Sequence, residues 1–266
     1  MFKATSVEFR FRYALHGVLY VLGFAAPWNY ALHLDPTGAN AHTWGILAAN
    51  MAQAGWMRID AAFNLLLVLA IGVAGAGAAL RTWGGAYLGE GVVQDSVMHT
   101  AISPTPFAGP PVAGVVTDGP FRRMRNPLYV GTFLHTLALA VLMPRSGAVF
   151  AIVTIGLLQV RLILAEEAFL RRTVGAAYEA YCSRVPRIVP SLWAKVAAGG
   201  LAPKWGRAFV GEAYMWIVAG SFCFAGWRYN AQLLVQCVVV AFGVSLVVQA
   251  LGPKVQGQGV TAVKAD

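Results

Sequence analysis

The chain has 266 residues, of which 58% are hydrophobic and only 12% charged, with a formal net charge of +9. A soluble domain carries about a quarter charged residues, and the mean hydropathy here is correspondingly high at +0.62. The apolar residues fall in long blocks, and a block of ~20 such residues is what a transmembrane helix needs. The composition therefore excludes an ordinary soluble domain and predicts an all-α polytopic membrane bundle, formed as one domain over residues 1–266.

Six blocks are apolar enough to be predicted as transmembrane helices. In chain order they are 13–34, 59–80, 127–143, 147–165, 209–226 and 233–251. The segment 40–56 is richer in small and polar residues, which favours an interfacial or re-entrant position. Basic residues before the first block resemble a signal-peptide n-region, but the long apolar run and Pro27 favour an uncleaved span. The last pair of blocks, 209–251, contains few polar groups and is expected to be a structural hairpin.

The distribution of cations predicts the orientation. Of the 20 Lys and Arg residues, all but Arg58, Arg145, Arg161 and Arg228 fall in segments that share one side of the membrane. The positive-inside rule then predicts an inner or plasma membrane protein with both termini and the motif loops in the cytoplasm. The positive charge would face anionic lipid, and nucleic acid is not expected as a partner. The three cysteines have no metal-ligand spacing, so no metal is expected either.

Polar motifs concentrate between Gly119 and Pro190. Asn126-Pro127 is typical of a helix start, because Asn is a favoured N-cap and Pro suits the first helical position. A helix that begins there presents backbone N–H groups beside Arg125, which favours anion binding. For the preceding Arg122 and Arg123, contact with lipid phosphate is the alternative interpretation.

Glu166 and Glu167 lie where the fourth block reaches the cytoplasmic edge. Carboxylates there are costly unless they are solvated or paired, and successive helical side chains point about 100° apart. One glutamate is therefore expected to face the bundle, where it suits an ammonium or sulfonium ligand, and Glu166 is favoured because it lies nearer the membrane. Arg161, ~7.5 Å deeper, could pair with that carboxylate or hold an acidic group of a substrate. The alternative is an ordinary cluster of charges with Arg171 and Arg172 at the helix end.

Several residues have two interpretations. Tyr129 could belong to the site or to the aromatic belt of the membrane surface. Gly75 and Gly77 are typical of close helix packing, or could let a flat ligand approach the backbone. His135 is expected to be a hydrogen-bonded residue within the bundle, and His99 a solvated residue of the long loop 84–121 rather than a base.

These motifs together resemble the isoprenylcysteine carboxyl methyltransferase family and, more broadly, the membrane methyltransferases that include the phospholipid N-methyltransferases. The resemblance is carried by Gly119-Pro-Phe-Arg122, the run Arg125 to Gly131, Glu166-Glu167, Gly175, Tyr178, Tyr181 and Val185-Pro-Arg187, and extends to Gly75 and Gly77. It implies S-adenosylmethionine as cofactor, held within residues 71–190, and catalytic roles for Arg125, Tyr129 and Glu167. The cofactor contacts that it implies are Gly75, Gly77, Gly119, Arg125, Asn126, Tyr129, Glu166, Glu167, Tyr178 and Tyr181. Asn126 stands where the family has a histidine, so a titrating imidazole is missing at that position.

The predicted function is an integral-membrane methyltransferase that uses S-adenosylmethionine and acts on a hydrophobic or amphipathic small molecule in the lipid bilayer. A glutamate can meet the donor's ammonium, and Arg125 with the helix start can meet its carboxylate. A carboxylate acceptor needs no base, whereas an amine must first lose a proton, for which the candidates are Glu166, Glu167 and Tyr129. This favours carboxyl O-methylation.

Two other functions remain open on the sequence. An NADPH-dependent membrane reductase similar to the steroid reductases would bind a polyanionic donor, which suits two glutamates less well. A non-catalytic lipid-binding or transport protein would spread its polar residues through the middle of the membrane.

Overall fold

The computed structural model describes residues 2–32, 41–88 and 115–251, which are mostly helical and contain no β-strand. The helices are α1 (Ser6–Arg10), α2 (Arg12–Ala25), α3 (Trp28–Ala31), α4 (Thr43–Gln53), α5 (Ile59–Gly85), α6 (Pro127–Ala140), α7 (Arg145–Thr173), α8 (Ala176–Arg184), α9 (Trp205–Gly211), α10 (Ala213–Ala225) and α11 (Ala231–Leu251). The predicted all-α class is confirmed. Most of the loop predicted over 84–121, with His99, lies outside the described residues.

The six predicted blocks correspond to helices of unequal length. Three helices of the described ranges are long and apolar enough to cross a membrane, namely α5, α7 and residues Ala231–Val248 of α11. A fourth span is formed if α9 and the segment Ala213–Arg228 are taken together, although they are bent by 70°. α6 is apolar but has only 14 residues, about 21 Å of helix at 1.5 Å per residue, whereas the hydrocarbon core is about 30 Å thick.

The first block is not one continuous helix. α2 has 14 residues and ends at Ala26, whose backbone is left-handed with φ 39°. Pro27 follows, and the short α3 begins one residue later. Proline disfavours the α conformation in the residue before it, so the chain turns at this point. The structure thus corrects the predicted span 13–34 to a shorter helix followed by a break.

α5 and α6 form the closest helix pair that positions the site. A Cβ atom added to Gly77 would lie 2.7 Å from the carbonyl oxygen of Gly131, and one added to Gly131 would lie 2.8 Å from that of Gly77. Small residues at such a crossing let two backbones approach each other. Nearby, a Cβ atom on Gly84 would meet the side chain of Leu128 at 2.5 Å. Gly77 is therefore a packing glycine.

A second set of contacts closes the opposite end of the bundle. The backbone N–H of Thr43 donates to the carbonyl of Met143 at 2.8 Å, so α4 holds the turn between α6 and α7. Tyr229 Oη donates to Asn64 Oδ1 at 2.6 Å, which ties the turn before α11 to α5. The predicted direction of insertion into the membrane stays a prediction.

Candidate active site

A cavity of about 940 Å³ lies among α2, α6, α7, α10 and α11. The wall from α6 is formed at helical spacing by Leu128, Thr132, His135 and Leu139, and the wall from α7 by Gln159, Leu162 and Glu166. The volume is at the upper end of the range of ~300–1,000 Å³ found for small-molecule sites. The cavity has room for a cofactor together with part of a second molecule.

Glu166 directs its carboxylate into this cavity. Its Oε2 accepts a hydrogen bond from Tyr129 Oη at 2.8 Å, and both residues line the wall. The contact ties the first turn of α6 to the last third of α7. Among the described residues, Tyr129 is the hydrogen-bond partner of Glu166, and because a phenol is neutral the carboxylate keeps the capacity to accept from a cation.

Glu167 lies in a different environment, with its side chain only 1% exposed. Three arginines approach its carboxylate: Arg187 at 2.9 Å, Arg125 at 3.2 Å and Arg171 at 3.3 Å. Hydrogen bonding to Glu167 also raises the pKa of Arg187 above its ordinary value. Of the two arginines in the alternative interpretation, Arg171 is a partner of Glu167, but the carboxylate is the centre of a buried cluster rather than a solvated group at the helix end.

Asn126 occupies the N-cap position of α6 with Pro127 after it, but its side chain does not cap the helix. Instead, Asn126 Nδ2 donates to Glu167 Oε1 and to the carbonyl of Arg187, both at 3.1 Å. The first N–H groups of α6 therefore lack a side-chain cap, and a helix leaves such groups without intrahelical acceptors. They lie next to the cavity wall at Pro127 and Leu128.

Arg125 is held within the cluster of Glu167 rather than free to bind a ligand. Its side chain is only 9% exposed, and its Nη1 donates to the carbonyl of Cys182 at 3.2 Å. Arg125 still reaches the cavity wall. The geometry makes it a link between the Glu167 cluster and the cavity.

Besides Glu167, five of the predicted cofactor contacts lie away from the described wall of the cavity. Tyr178 and Tyr181 pack with Val185 in a small apolar cluster, where burial raises the pKa of both phenols. Tyr181 Oη donates to the carbonyl of Phe121 at 2.8 Å. The other three are Gly75, Gly77 and Gly119.

Arg161 does not pair with either glutamate of the motif. Its Nη2 donates to both carboxylate oxygens of Glu8, at 2.9 and 2.8 Å. Hydrogen bonds from Arg161 and from the backbone of Thr5 lower the pKa of Glu8 to about 2. The predicted pairing of Arg161 is therefore wrong, and this arginine fastens α1 to α7.

A buried ion pair on the cavity wall was missed by the sequence reasoning. Arg81 and Glu212 form a bidentate pair at 2.7 and 2.8 Å. Arg81 Nη1 also donates to Thr132 Oγ1 at 2.8 Å. Glu212 lies at the bend between α9 and α10, inside a block expected to be merely structural. A lone acidic residue in that apolar stretch was the available signal.

Two imidazoles also reach the cavity. His16 Nδ1 lies 2.6 Å from the carbonyl of Arg12 and therefore carries the proton, which leaves Nε2 as the basic nitrogen. Among the described residues, neither His16 Nε2 nor either ring nitrogen of His135 has a hydrogen-bond partner. The expectation that His135 would be hydrogen-bonded is wrong. Its ring instead packs edge-on against Tyr214, with centroids 5.2 Å apart.

Comparison with known proteins identifies one family to which part of the chain is similar. Residues 66–177 match the family model described as phospholipid methyltransferase (PEMT). The match spans most of α5 and all of α6 and α7, with the Glu166-Glu167 pair, and it confirms the resemblance to the membrane methyltransferases. The narrower likeness to the isoprenylcysteine carboxyl methyltransferases stays a prediction. No curated protein and no solved structure matches the chain significantly.

Proposed function

We propose that the protein uses S-adenosylmethionine to methylate a lipidic or amphipathic small molecule within the membrane. The observation that carries this proposal is Glu166, a carboxylate that faces a large cavity with only a phenol as hydrogen-bond partner among the described residues. It lies within the region that matches a family of membrane methyltransferases. When bound, S-adenosylmethionine supplies a methyl group activated by its sulfonium.

The residues around Glu166 fit the two charged groups of the donor's amino acid part. Glu166 would accept hydrogen bonds from the ammonium, and Tyr129 would hold the carboxylate of Glu166 in place. The uncapped N–H groups of α6 favour an anion. Arg12 also lines the cavity, and because Arg125 is committed to Glu167, Arg12 is the better candidate to meet the donor's carboxylate. Arg125 and Glu167 are then positioning residues.

The chemical class of the acceptor has two candidates. With Glu166 assigned to the donor, the other carboxylate on the described cavity wall is Glu212, which is paired with Arg81. Neither carboxylate on the described wall is then free to act as a base. A substrate whose own carboxylate accepts the methyl group needs no base, so carboxyl O-methylation remains the favoured choice on chemical grounds.

A phospholipid amine is the second candidate, supported by the family match. Its ammonium nitrogen must lose a proton before it can form the new N–CH₃ bond, and His16 Nε2 is a basic nitrogen on the described cavity wall that can accept this proton. A neutral imidazole is suited to this role because its unprotonated ring nitrogen can accept a proton.

Calorimetry on the detergent-solubilised protein tests the donor. We expect heat from S-adenosylmethionine and from its demethylated product, and none comparable from NADPH. Binding of NADPH alone would overturn the proposal.

The acceptor is identified by incubating the protein and methyl-labelled donor separately with a total lipid extract, with phosphatidylethanolamine and with a long-chain isoprenoid acid. His16→Asn should abolish labelling of an amine and spare that of a carboxylic acid. If His16→Asn labels an amine as strongly as the parent protein does, His16 is not the base.

A further inference from the structure

We propose that His135 and Gln159 form a second, deeper polar subsite that binds a carbonyl oxygen of the methyl acceptor. The inference rests on the proposed function for the identity of the cavity as the acceptor site. It adds a specific chemical requirement, namely that the acceptor carries an ester or amide carbonyl at a fixed distance from the group that is methylated.

The two side chains are buried, and each has polar atoms that lack a hydrogen-bond partner among the described residues. His135 is 1% exposed and Gln159 is 4% exposed. Both line the cavity, and among the described residues both ring nitrogens of His135 and Nε2 of Gln159 have no hydrogen-bond partner. A buried polar group without a partner is costly, and ionisable residues inside the membrane mark substrate paths. Packing alone does not account for this pair.

Helix geometry places both groups at one depth. The hydrogen bond from Tyr129 to Glu166 fixes the register of α6 against α7, which run in opposite directions. His135 follows Tyr129 by six residues, about 9 Å of helix, and Gln159 precedes Glu166 by seven residues, about 10.5 Å. The subsite therefore lies about 10 Å further into the bundle than the donor's charged groups.

Neighbouring contacts close the subsite on other sides. Tyr20 Oη and Thr136 Oγ1 lie 2.7 Å apart and satisfy each other. Leu139 and Phe242 contribute apolar surface to the same cavity. The nearby guanidinium of Arg81 is already neutralised by Glu212. Such surroundings favour a neutral polar group over an ion.

The N–H groups of the subsite select a ligand group that accepts hydrogen bonds. The Gln159 amide offers N–H groups, and a neutral imidazole offers one N–H. A carbonyl oxygen has two lone pairs and can accept from both side chains. Ester and amide carbonyls of acyl lipids share this chemistry, and the acyl chain beyond the carbonyl would continue along the apolar wall formed by Val238, Val239 and Phe242.

The test compares two probes that differ only in this carbonyl. The first is 1-oleoyl-lysophosphatidylethanolamine, and the second is its 1-O-oleyl ether counterpart, which lacks the carbonyl. Dissociation constants are measured by native mass spectrometry of the detergent-solubilised full chain without donor. We expect the parent protein to bind the ester about tenfold more tightly.

The variants His135→Leu and Gln159→Leu should each reduce this preference, and the double variant should abolish it. Thr154→Val, on α7 but outside the cavity wall, is the matched control and should retain it, and melting temperatures verify that the variants fold. Any of three results would overturn the subsite. The parent could bind ester and ether equally, the parent could bind neither probe, or the preference could survive in the double variant. Failure of the parent to bind S-adenosylmethionine would instead overturn the proposed function, because the probe measurement uses no donor.

Discussion

Glu166 and Glu167 are consecutive residues of α7 whose carboxylates lie in separate environments. Glu166 accepts a hydrogen bond from Tyr129 on the cavity wall, whereas Glu167 is enclosed by the guanidinium groups of Arg125, Arg171 and Arg187. The rotation of about 100° between successive helical residues separates the two directions. A ligand in the cavity can therefore reach one carboxylate while the other organises the chain segments behind it.

Substitution of each glutamate by glutamine should separate the two roles. Glu166→Gln should weaken S-adenosylmethionine binding by about 10- to 150-fold, because a hydrogen bond to a charged group contributes roughly 1.5–3 kcal/mol. It should leave the melting temperature nearly unchanged. Glu167→Gln should lower the melting temperature, since loss of one partner from a buried charge cluster costs about 3–5 kcal/mol.

Glu179→Gln serves as control for this pair, because Glu179 contacts Arg171 from a side chain that is 61% exposed. Calorimetry and thermal unfolding in detergent measure both quantities. Normal donor binding by Glu166→Gln would remove this residue from the cofactor site.

Gly75 and Gly77 of α5 should respond differently to alanine. Gly77→Ala places a methyl group 2.7 Å from the carbonyl oxygen of Gly131, so α5 and α6 must separate, at a cost of roughly 1–3 kcal/mol. Gly75→Ala meets nothing within 4 Å and should be neutral or stabilising by about 0.5–1 kcal/mol, because alanine favours helix. Thermal unfolding distinguishes them. Loss of donor binding in a fully stable Gly75→Ala would show that the cofactor approaches this backbone.

Arg81 and Glu212 should be strongly coupled in a double-mutant cycle. Arg81→Met leaves a buried carboxylate unpaired, and Glu212→Leu leaves a buried guanidinium unpaired, so each should destabilise the fold by about 3–5 kcal/mol. The double variant should lose much less than the sum, because neither charge remains. Additive losses would mean that the two side chains act independently in the membrane.

The ion pair between Glu8 and Arg161 should make stability depend on acid pH. Because the pKa of Glu8 is lowered to about 2 from an ordinary 4.5, its contribution is complete above pH 4.5 and is lost as the pH falls towards 2. The side chains are 30% and 27% exposed, so the effect should stay below about 1 kcal/mol. Melting temperatures of the parent and of Glu8→Gln should converge as the pH falls through this window. A constant difference would contradict the assignment.

Labelling of single cysteines tests the orientation. In a background with Cys182, Cys223 and Cys237 replaced, cysteines at the exposed positions Gln53 and Ser183 report opposite ends of the bundle. The distribution of cations predicts that an impermeant thiol reagent applied outside intact cells labels position 53 only. Labelling of position 183 from outside would reverse the predicted topology.

Local signals in the sequence predicted the helix start at Asn126-Pro127 and the divergence of the two glutamates, because both depend on neighbouring residues. The partners of Arg161 and Arg81 could not be predicted in the same way. Glu8 and Glu212 lie far away in the chain, and only the packing of the helices brings them within reach. The break at Ala26 had a visible cause in Pro27, yet the apolar run around it outweighed that signal.

The bidentate pair of Arg81 and Glu212 restricts how this protein could be recombined with its relatives. A replacement for the hairpin of α9, α10 and α11 would have to supply a carboxylate at the bend between α9 and α10. The reason is that Arg81 of α5 stays in place and is already buried. Exchange of the hairpin is therefore limited to sequences that preserve this one charge.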